Sequence, residues 1–562
     1  MKRLLIGILC LIFALGLCSC GTSSDEEVAE EPAVISDIEV VADTGTYMGH
    51  DNDGVAEFLG ISYAAPLEMW KAPEDPETTS EDVIECAEWG PSGIQVDDDV
   101  EVASSWTQAS DDLDLNIWTK DVNTTGKPVI VFIHGGGAWQ GGTYDHCYDG
   151  EAIVRNLPEG EDLVMVTINY RLGIFGSTDL SGLEGYTDEY YDAVNLATLD
   201  QIQALKWIHD NIEAFGGDPD NVTLSGQSSG AGSVSTLLSI KDANQYFANA
   251  ILESGTMFNR TISVSEGKER AAILFDIMGV DTMDDFLALT DEDFKAKYDE
   301  IDEALHQDTN VPEPQRIADG KIVPEDQLAE IKNGSAAGIN VMIGTTNGEY
   351  DWMGVDWDNS ISEPLTEYDS ILEPLEKGNA DSSALSTTWT PIENQEIIEE
   401  YLNAGDDKVM RACDLYNDTK YRQPAIYLAE MLTEAGSDVY MYYWEWAPDK
   451  EMMLEEEGDS AEVSPWGRAM HCMDQVLFLG TIDGGYDELT GPADKIPEDL
   501  LKTTQTTFYT FAKNGNPDND LITTWKPYDT TDRETMVIGE DTSWELVSDP
   551  RSEDRILLDK VN

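Results

Sequence analysis

Basic residues are scarce in this sequence, whereas acidic residues are abundant. It has 32 Lys and Arg against 112 Asp and Glu, which gives a formal net charge of -80. A surface of this sign repels nucleic acids, anionic lipid headgroups and polyanionic substrates. The charge balance therefore argues against a nucleic-acid-binding function and favours neutral or cationic small molecules as partners.

Cysteine is also rare, with seven residues in a chain of 562. The four that follow residue 20 are widely spaced, and none forms the C-x-x-C pair that is typical of zinc sites. They are Cys86, Cys147, Cys413 and Cys472. The sequence thus predicts no disulfide framework, no metal site and no cofactor.

The N-terminus has the form of an export signal. Lys2 and Arg3 precede an apolar run over residues 4–17, which is too short to span a bilayer comfortably. The run ends in LCSC at residues 17–20, and this motif resembles a bacterial lipobox, in which the signal is removed and the new N-terminal cysteine, here Cys20, is lipidated. An ordinary secretory signal that is cut nearby is the alternative.

Three segments follow from this interpretation. Residues 1–19 are predicted to be the signal peptide, residues 20–36 the lipid anchor with a flexible acidic tether, and residues 37–562 a single domain. The mature protein is then expected outside the cell, held on the outer face of a bacterial membrane by the lipid on Cys20. The membrane is its expected partner besides a small-molecule substrate.

Strand-like and helix-like segments alternate through most of the chain, which predicts an α/β fold. Residues 129–133 (VIVFI) and 164–170 (VMVTINY) are apolar, β-branched runs of the kind buried in a parallel sheet. A helix is predicted over residues 196–212, where apolar residues recur at helical spacing. Further strands are predicted at residues 38–42, 55–61, 113–118, 222–224, 250–252, 341–343 and 439–443. We expect a large, mostly parallel central sheet with helices on both faces, and additional helices from residues 355–465 covering the site.

The sharpest motif is G-x-S-x-G, present as GQSSG at residues 226–230. A strand-like segment precedes it and a helix start rich in small residues follows it, which is the strand–turn–helix context of the nucleophile elbow in α/β-hydrolases. The turn is too tight for side chains two positions from the serine, and the helix dipole favours a developing anion there. The motif predicts Ser228 as a nucleophile.

A glycine run follows the strand at residues 129–133. The sequence HGGG at residues 134–137 allows close approach of the backbone to a ligand. Acyl transfer needs fixed donors aimed at the tetrahedral oxyanion. We therefore predict an oxyanion hole formed by the N–H groups of Gly136, Gly137 and Ser229, with His134 in a structural role.

Only two of the six histidines, His306 and His471, follow Ser228 in the sequence. In this fold the order along the chain is serine, acid, histidine, and the acid needs a strand of its own between the other two, which favours His471 as the base. Glu349 lies just beyond a predicted strand end, where open α/β sheets build their sites. On this argument alone, Asp351 remains the alternative acid.

The same residues resemble the type-B carboxylesterase family, which includes the cholinesterases, over about residues 40–540. The matching blocks, in order, are residues 58–66 (FLGISYAAP), 169–173 (NYRLG), 200–207 (DQIQALKW), 215–219 (FGGDP), 254–255 (SG), 344–349 (GTTNGE), 467–474 (GRAMHCMD) and 511–517 (FAKNGNP). The resemblance implies an α/β-hydrolase fold and a serine esterase acting on small carboxylic esters. It also implies Glu349 as the acid beside His471.

The chain departs from the family at three places. Its elbow reads GQSSG where GESAG is common, so neutral Gln227 precedes the nucleophile. The two cysteines of the family's early disulfide align with Gly93 and Asp112, and Val102 stands where cholinesterases have a choline-stacking tryptophan. Some relatives have lost the triad and only bind partners, so a catalytically inactive or weakly active cell-surface binding module is the alternative function. The presence of serine, acid and histidine here favours the enzyme.

Overall fold

The computed structural model describes most of the chain after the predicted tether. The described residues are 37–78, 83–95, 107–258, 261–307, 316–351, 375, 386–387, 390–392, 394–450, 452–453, 464–482 and 487–561. The predicted signal peptide, Cys20 and Val102 lie outside these residues. Asp37–Asn562 form one compact unit. Within the described ranges, no helix combines the length and the apolar character needed to cross a membrane.

The strands carry most of the architecture and are numbered in chain order. They are β1 Asp37–Val41, β2 Thr46–Asn52, β3 Val55–Ser62, β4 Val83–Glu85, β5 Asp114–Thr119, β6 Lys127–Ile133, β7 Val164–Ile168, β8 Gly217–Gln227, β9 Asn249–Glu253, β10 Thr261–Ser263, β11 Arg316–Ala318, β12 Asn340–Thr346, β13 Ser386–Thr387, β14 Thr390–Pro391, β15 Val439–Trp444, β16 Glu534–Ile538 and β17 Trp544–Ser548.

The α-helices are numbered in the same way. They are α1 Glu151–Asn156, α2 Gly173–Gly176, α3 Leu196–Asn211, α4 Ser229–Ser239, α5 Val264–Met278, α6 Met283–Leu287, α7 Asp291–Lys295, α8 Tyr298–Asp302, α9 Gln327–Lys332, α10 Gln395–Leu402, α11 Lys408–Asn417, α12 Gln423–Ala435, α13 Met473–Leu479, α14 Asp487–Thr490, α15 Glu498–Asn514 and α16 Ser552–Leu558. A π-helical segment, Asp418–Arg422, joins α11 to α12.

One large sheet organises the molecule. Thirteen strands belong to it, in the order β1-β2-β3-β5-β7-β6-β8-β9-β12-β15-β16-β17, with β4 paired to β2. The strands from β7 to β16 in this order are all parallel, and antiparallel pairs occur towards both edges. The carboxyl ends of β8, β9 and β12 therefore lie side by side, which is where an open α/β sheet builds its site.

The continuous apolar run of β6 is explained by burial on both faces of the sheet. Val129, Val131 and Ile133 lie in one hydrophobic core, and Ile130 and Phe132 lie in the other. Successive side chains of a strand point to opposite faces, so a strand covered on both sides has no polar face. Helices α3, α4 and α12 contribute to the first core, and α13 and α15 contribute to the second.

The predicted α/β class, the mostly parallel sheet and the helices on both faces are confirmed. The strand predicted at residues 222–224 extends over Gly217–Gln227, and the predicted helix at 196–212 spans Leu196–Asn211. Helices α10, α11 and α12 lie in the region predicted to be helical, parts of which fall outside the described residues. Strands β2, β4, β16 and β17 of the large sheet were not predicted, and neither were the short strands β10, β11, β13 and β14.

Candidate active site

Ser228 lies at a sharp turn between β8 and α4. Its backbone has φ 54° and ψ -118°, an uncommon conformation for a residue with a side chain. Two hydrogen bonds hold it there, because its N–H donates to the Glu253 carbonyl at 2.8 Å and its own carbonyl accepts from Gly232 N at 3.0 Å. Backbone strain of this kind persists only where the surroundings over-determine it, and it is concentrated at functional sites.

Glycines two positions before and after Ser228 make this turn possible. A Cβ added to Gly226 would lie 2.6 Å from the carbonyl carbon of Gly230, and one added to Gly230 would overlap the Ile133 carbonyl. Neither position therefore accepts a side chain without movement of the backbone. The elbow motif has the steric cause that the sequence predicted for it.

The glycine run follows β6 and is tied to the start of α4. Gly136 and Gly137 have positive φ values of 90° and 66°, and the Ala138 N–H donates to Ser229 Oγ at 3.1 Å. The N–H groups of Gly136 and Ser229 have no hydrogen-bond acceptor among the described residues. The predicted oxyanion donors therefore lie on two segments that are joined to each other, and at least two of them are available to a ligand.

Glu349 and His471 are hydrogen-bonded, as the predicted roles require. Glu349 follows β12, is fully buried, and accepts from the Thr346 N–H at 2.8 Å through Oε1. Its Oε2 lies 2.5 Å from His471 Nδ1. Because a carboxylate only accepts hydrogen bonds, the proton of a neutral His471 lies on Nδ1, and Nε2 carries the lone pair.

The Nε2 atom of His471 contacts Gln227 and not Ser228. Gln227 Nε2 lies 3.0 Å from it. Ser228 Oγ has no hydrogen-bond partner among the described residues. Catalytic hydrogen bonds commonly tighten only in the complex with substrate. The sequence marked Gln227 as unusual but did not reveal this contact.

Asp351, the alternative acid, has a different partner. Its Oδ2 accepts from Arg468 Nε at 2.8 Å, its Oδ1 accepts from Arg468 Nη2, and Ser464 Oγ donates to it at 2.5 Å. Asp351 is fully buried, and Arg468 also pairs with Asp414. This carboxylate therefore joins the acid loop to the histidine loop and makes no contact with the imidazole.

Two further buried carboxyl groups lie behind the pair. Asp474, at the start of α13, accepts from the Tyr442 hydroxyl at 2.6 Å, and burial together with the charge of Glu349 raises its pKa to about 6. Burial, with the charge of Asp474, raises the pKa of Glu253 well above its usual range. Sequence reasoning noted Asp474 only as an acidic residue after His471 and did not find Glu253.

His134 is part of the packing. It is buried, its ring stacks on Tyr170 with centroids 4.6 Å apart, and burial lowers its pKa to about 4. These contacts suit the structural role that was predicted for it. In the part of the chain that the structure describes, no group of three His, Cys, Asp or Glu side chains is arranged to hold a metal ion.

Several esterases are similar to this chain in sequence and in fold. The chain is 31% identical over 525 residues to the para-nitrobenzyl esterase of Bacillus subtilis, covering 92% of this chain and 97% of that protein. It is 29% identical to the liver carboxylesterase of Sus scrofa, covering 75% of this chain and 72% of that one. Among solved structures, a thermophilic PNB esterase matches with a TM-score of 0.73 and 28% identity over 92% of this chain and 99% of that one.

The sequence profile of the carboxylesterase family matches residues 36–554, which is nearly the whole described region. The match in sequence and the likeness in fold agree with each other, and both agree with the resemblance expected from the motifs. The chain therefore belongs to the carboxylesterase family of α/β-hydrolases, and it is a carboxylic ester hydrolase.

Proposed function

We propose that the chain hydrolyses carboxylic esters through an acyl-enzyme on Ser228, with His471 as the general base and Glu349 as the acid that orients it. Ser228 Oγ attacks the ester carbonyl carbon while its proton moves to His471 Nε2. The N–H groups of Gly136, Gly137 and Ser229 bind the oxyanion of the tetrahedral intermediate. The alcohol leaves with the proton from His471, and water then releases the acid by the same steps.

The observation that carries this proposal is the Glu349–His471 pair next to a strained serine. The 2.5 Å contact places the lone pair of the imidazole on Nε2, and Gln227, which Nε2 contacts, is the residue before Ser228. Glu349 accepts from the imidazole and stabilises the imidazolium that forms during proton transfer. Ser228 lies at the N-terminus of α4, where the helix dipole favours the oxyanion.

The test is removal of the serine hydroxyl. Ser228→Ala should leave a folded protein whose kcat falls by several orders of magnitude, with a residual rate of about 10³–10⁴ over water. Ser235→Ala is the matched control, because Ser235 is a buried serine of α4, the helix that begins after Ser228, and its hydroxyl donates to the Gly232 carbonyl. Near-normal hydrolysis by Ser228→Ala would overturn the proposal, and the binding-module alternative would require that the unaltered chain lack turnover.

The proposed substrates are small, uncharged esters. The negative charge of the chain disfavours anionic ones, and the relative from Bacillus subtilis is named for a para-nitrobenzyl ester. A panel of para-nitrophenyl and para-nitrobenzyl esters of increasing acyl length, with one anionic and one cationic analogue, defines the acyl and alcohol preference. We expect the anionic analogue to have the lowest kcat/KM at low salt.

We propose further that the mature chain begins at a lipidated Cys20, with residues 1–19 removed, 20–36 as a tether and 37–562 as one hydrolase domain. The LCSC motif at residues 17–20 supports this. Two acyl chains anchor a protein stably where one is marginal. Mass spectrometry of the mature N-terminus tests it, and an unmodified N-terminus elsewhere would exclude the anchor on the outer face of the membrane.

A further inference from the structure

Gln227 contacts Nε2 of His471, the nitrogen that accepts the Ser228 proton in the proposed function. It is the last residue of β8, it is 1% exposed, and its Nε2 lies 3.0 Å from His471 Nε2. Glu349 binds the other ring nitrogen, so Nε2 of the neutral imidazole can only accept. The Gln227 carboxamide is therefore the donor in this contact.

The rest of the carboxamide makes no competing bond. Gln227 Oε1 has no hydrogen-bond partner among the described residues. A Cβ added to Gly135 would lie 3.0 Å from this oxygen, which places the amide between the glycine run and the base. The hydrogen bond to His471 is thus the only one that the Gln227 side chain makes in the described structure.

Within the described ranges, the other ionisable groups that face His471 are acidic or neutral. Glu349 pairs with it, Asp474 of α13 interacts electrostatically with it, and Tyr421 lies with its ring 5.0 Å away. Glu253 of β9 faces Asp474, and Cys472 is the next residue in the chain. The guanidinium of Arg468, three residues before the base, is paired with Asp351 and Asp414. Carboxylates near an imidazole favour its protonated form, which cannot act as a base.

The geometry points to Gln227 as a positioning residue that holds His471 in its neutral form in the free enzyme, until Nε2 exchanges the amide donor for the Ser228 hydroxyl. A hydrogen bond donated to the neutral form of a group favours that form. The family commonly has a glutamate before the nucleophile, and a carboxylate in this place could only accept from the imidazole and would favour its protonated form. In a chain with a net charge of -80, Gln227 offsets the pull of the acidic groups on the base.

The inference rests on the proposed function, in which His471 is the base. The experiment measures kcat/KM for a neutral ester against pH in the parent and in each variant. The fall of kcat/KM at low pH, the acid limb, reports protonation of the free enzyme. Gln227→Leu removes the donor with little change in volume and should move the limb to higher pH by about half a unit to one unit. Gln227→Glu replaces the donor with a negative charge and should move it by more than about one unit.

Gln245→Glu is the control, because it adds one negative charge at an exposed position that follows the C-terminal end of α4, whereas Ser228 precedes its N-terminal end. It should leave the limb in place. An acid limb that stays at the wild-type pH in both Gln227→Leu and Gln227→Glu would overturn the inference. Equal shifts in Gln227→Glu and Gln245→Glu would overturn it too, since only net charge would then matter.

A second measurement keeps the test valid where a variant turns over too slowly. The imidazole ¹³Cε1 resonance of His471, assigned by its loss in His471→Gln, is followed against pH in Ser228→Ala and in Ser228→Ala combined with each Gln227 change. The pH at the midpoint of this titration should be lowest with Gln at position 227, higher with Leu and highest with Glu. Normal hydrolysis by Ser228→Ala would instead refute the proposed function, so the two failures are distinguishable.

Discussion

Arg468 and Asp351 join the loop that carries the base to the loop that carries its acid. Arg468 lies three residues before His471, and Asp351 lies two residues after Glu349. The two side chains form a bidentate pair, with Nε and Oδ2 2.8 Å apart, and Asp351 is fully buried. A bidentate guanidinium–carboxylate pair fixes direction as well as distance, so it aligns the Glu349–His471 hydrogen bond.

Breaking this pair should cost stability and activity together. Arg468→Gln leaves the buried Asp351 without its cation, whereas Asp414 keeps its pair with Arg411 at 3.1 Å. Removal of one partner of a buried pair typically costs about 3–5 kcal/mol in free energy of unfolding. Urea denaturation measures this, and kcat of the folded fraction should fall at the same time. Lys526→Gln is the control, because Lys526 is 61% exposed in its pair with Glu534 and should change stability by less than about 1 kcal/mol. Equal stabilities for the two variants would contradict the role given to Arg468.

Gly93 and Asp112, which align with the family's early disulfide, are neighbours in space. A Cβ added to Gly93 would lie 2.7 Å from Asp112 Oδ2. Asp112 is buried, neither of its carboxyl oxygens has a hydrogen-bond partner among the described residues, and burial raises its pKa well above the usual range. The carboxyl group occupies part of the space that a disulfide would fill.

Gly93→Cys combined with Asp112→Cys should therefore form a disulfide under oxidising conditions. The bond would close a loop of about 20 residues, which corresponds to a stabilisation of about 3 kcal/mol. Thermal unfolding with and without reductant measures the gain, and Asp112→Cys alone is the control. Two thiols that still react with a thiol reagent after oxidation would show that the Cβ atoms are too far apart.

A side chain at Gly136 is expected to lower the activity. It has φ 90°, and a Cβ there would overlap the Gln140 carbonyl. Gly136→Ala should displace the loop and lower kcat by about 10²-fold or more, the usual effect of losing one oxyanion donor. Gly126→Ala is a matched control, since Gly126 also has positive φ, 76°, but a Cβ there meets nothing within 4 Å. It should lose about 1 kcal/mol of stability and keep full activity. The opposite ranking of the two activities would count against the proposed oxyanion hole.

The central sheet and the elbow could be predicted because their causes are local. The apolar run of β6 results from burial on both faces of the sheet. The glycines around Ser228 result from the tight turn there. Both constraints act within a few residues. Strand β2 was missed because its sequence TYMGHDN has little apolar pattern and is held by pairing with β1 and β3. Both partners are neighbours in the chain, but a segment of seven residues without an apolar alternation does not reveal the pairing.

The side-chain contacts within the site could not be derived from the residues alone, because they depend on side-chain directions. The position after a predicted strand favoured Glu349 as the acid but left Asp351 as the alternative, and the family resemblance strengthened the choice of Glu349. In the structure, Asp351 is paired with Arg468, and of the two acids it is Glu349 that contacts the imidazole of His471. The contact of Gln227 with His471 likewise arises where the end of β8 meets a loop that is distant in sequence.

The buried carboxyl group of Asp114 should make the stability of the fold depend on pH. This residue is 4% exposed and accepts from Asn169 Nδ2 at 3.2 and 3.3 Å, and burial raises its pKa to about 8. In the unfolded chain an aspartate ionises near pH 3.9. Between about pH 4 and pH 8 the folded state therefore holds a proton that the unfolded state has released. Stability falls with rising pH wherever the folded state binds more protons, here by up to about 1.4 kcal/mol per pH unit from this group.

Asp114→Asn should remove this contribution while keeping an acceptor for Asn169. We expect the free energy of unfolding, measured in urea at several values between pH 5 and pH 8, to fall less steeply in the variant than in the parent. Repulsion among the surface carboxylates has the same sign, so only the difference in slope isolates Asp114. Asp220→Asn removes one exposed carboxylate and is the control for net charge. If both variants flattened the curve equally, the pH dependence would come from the surface and not from the buried carboxyl group.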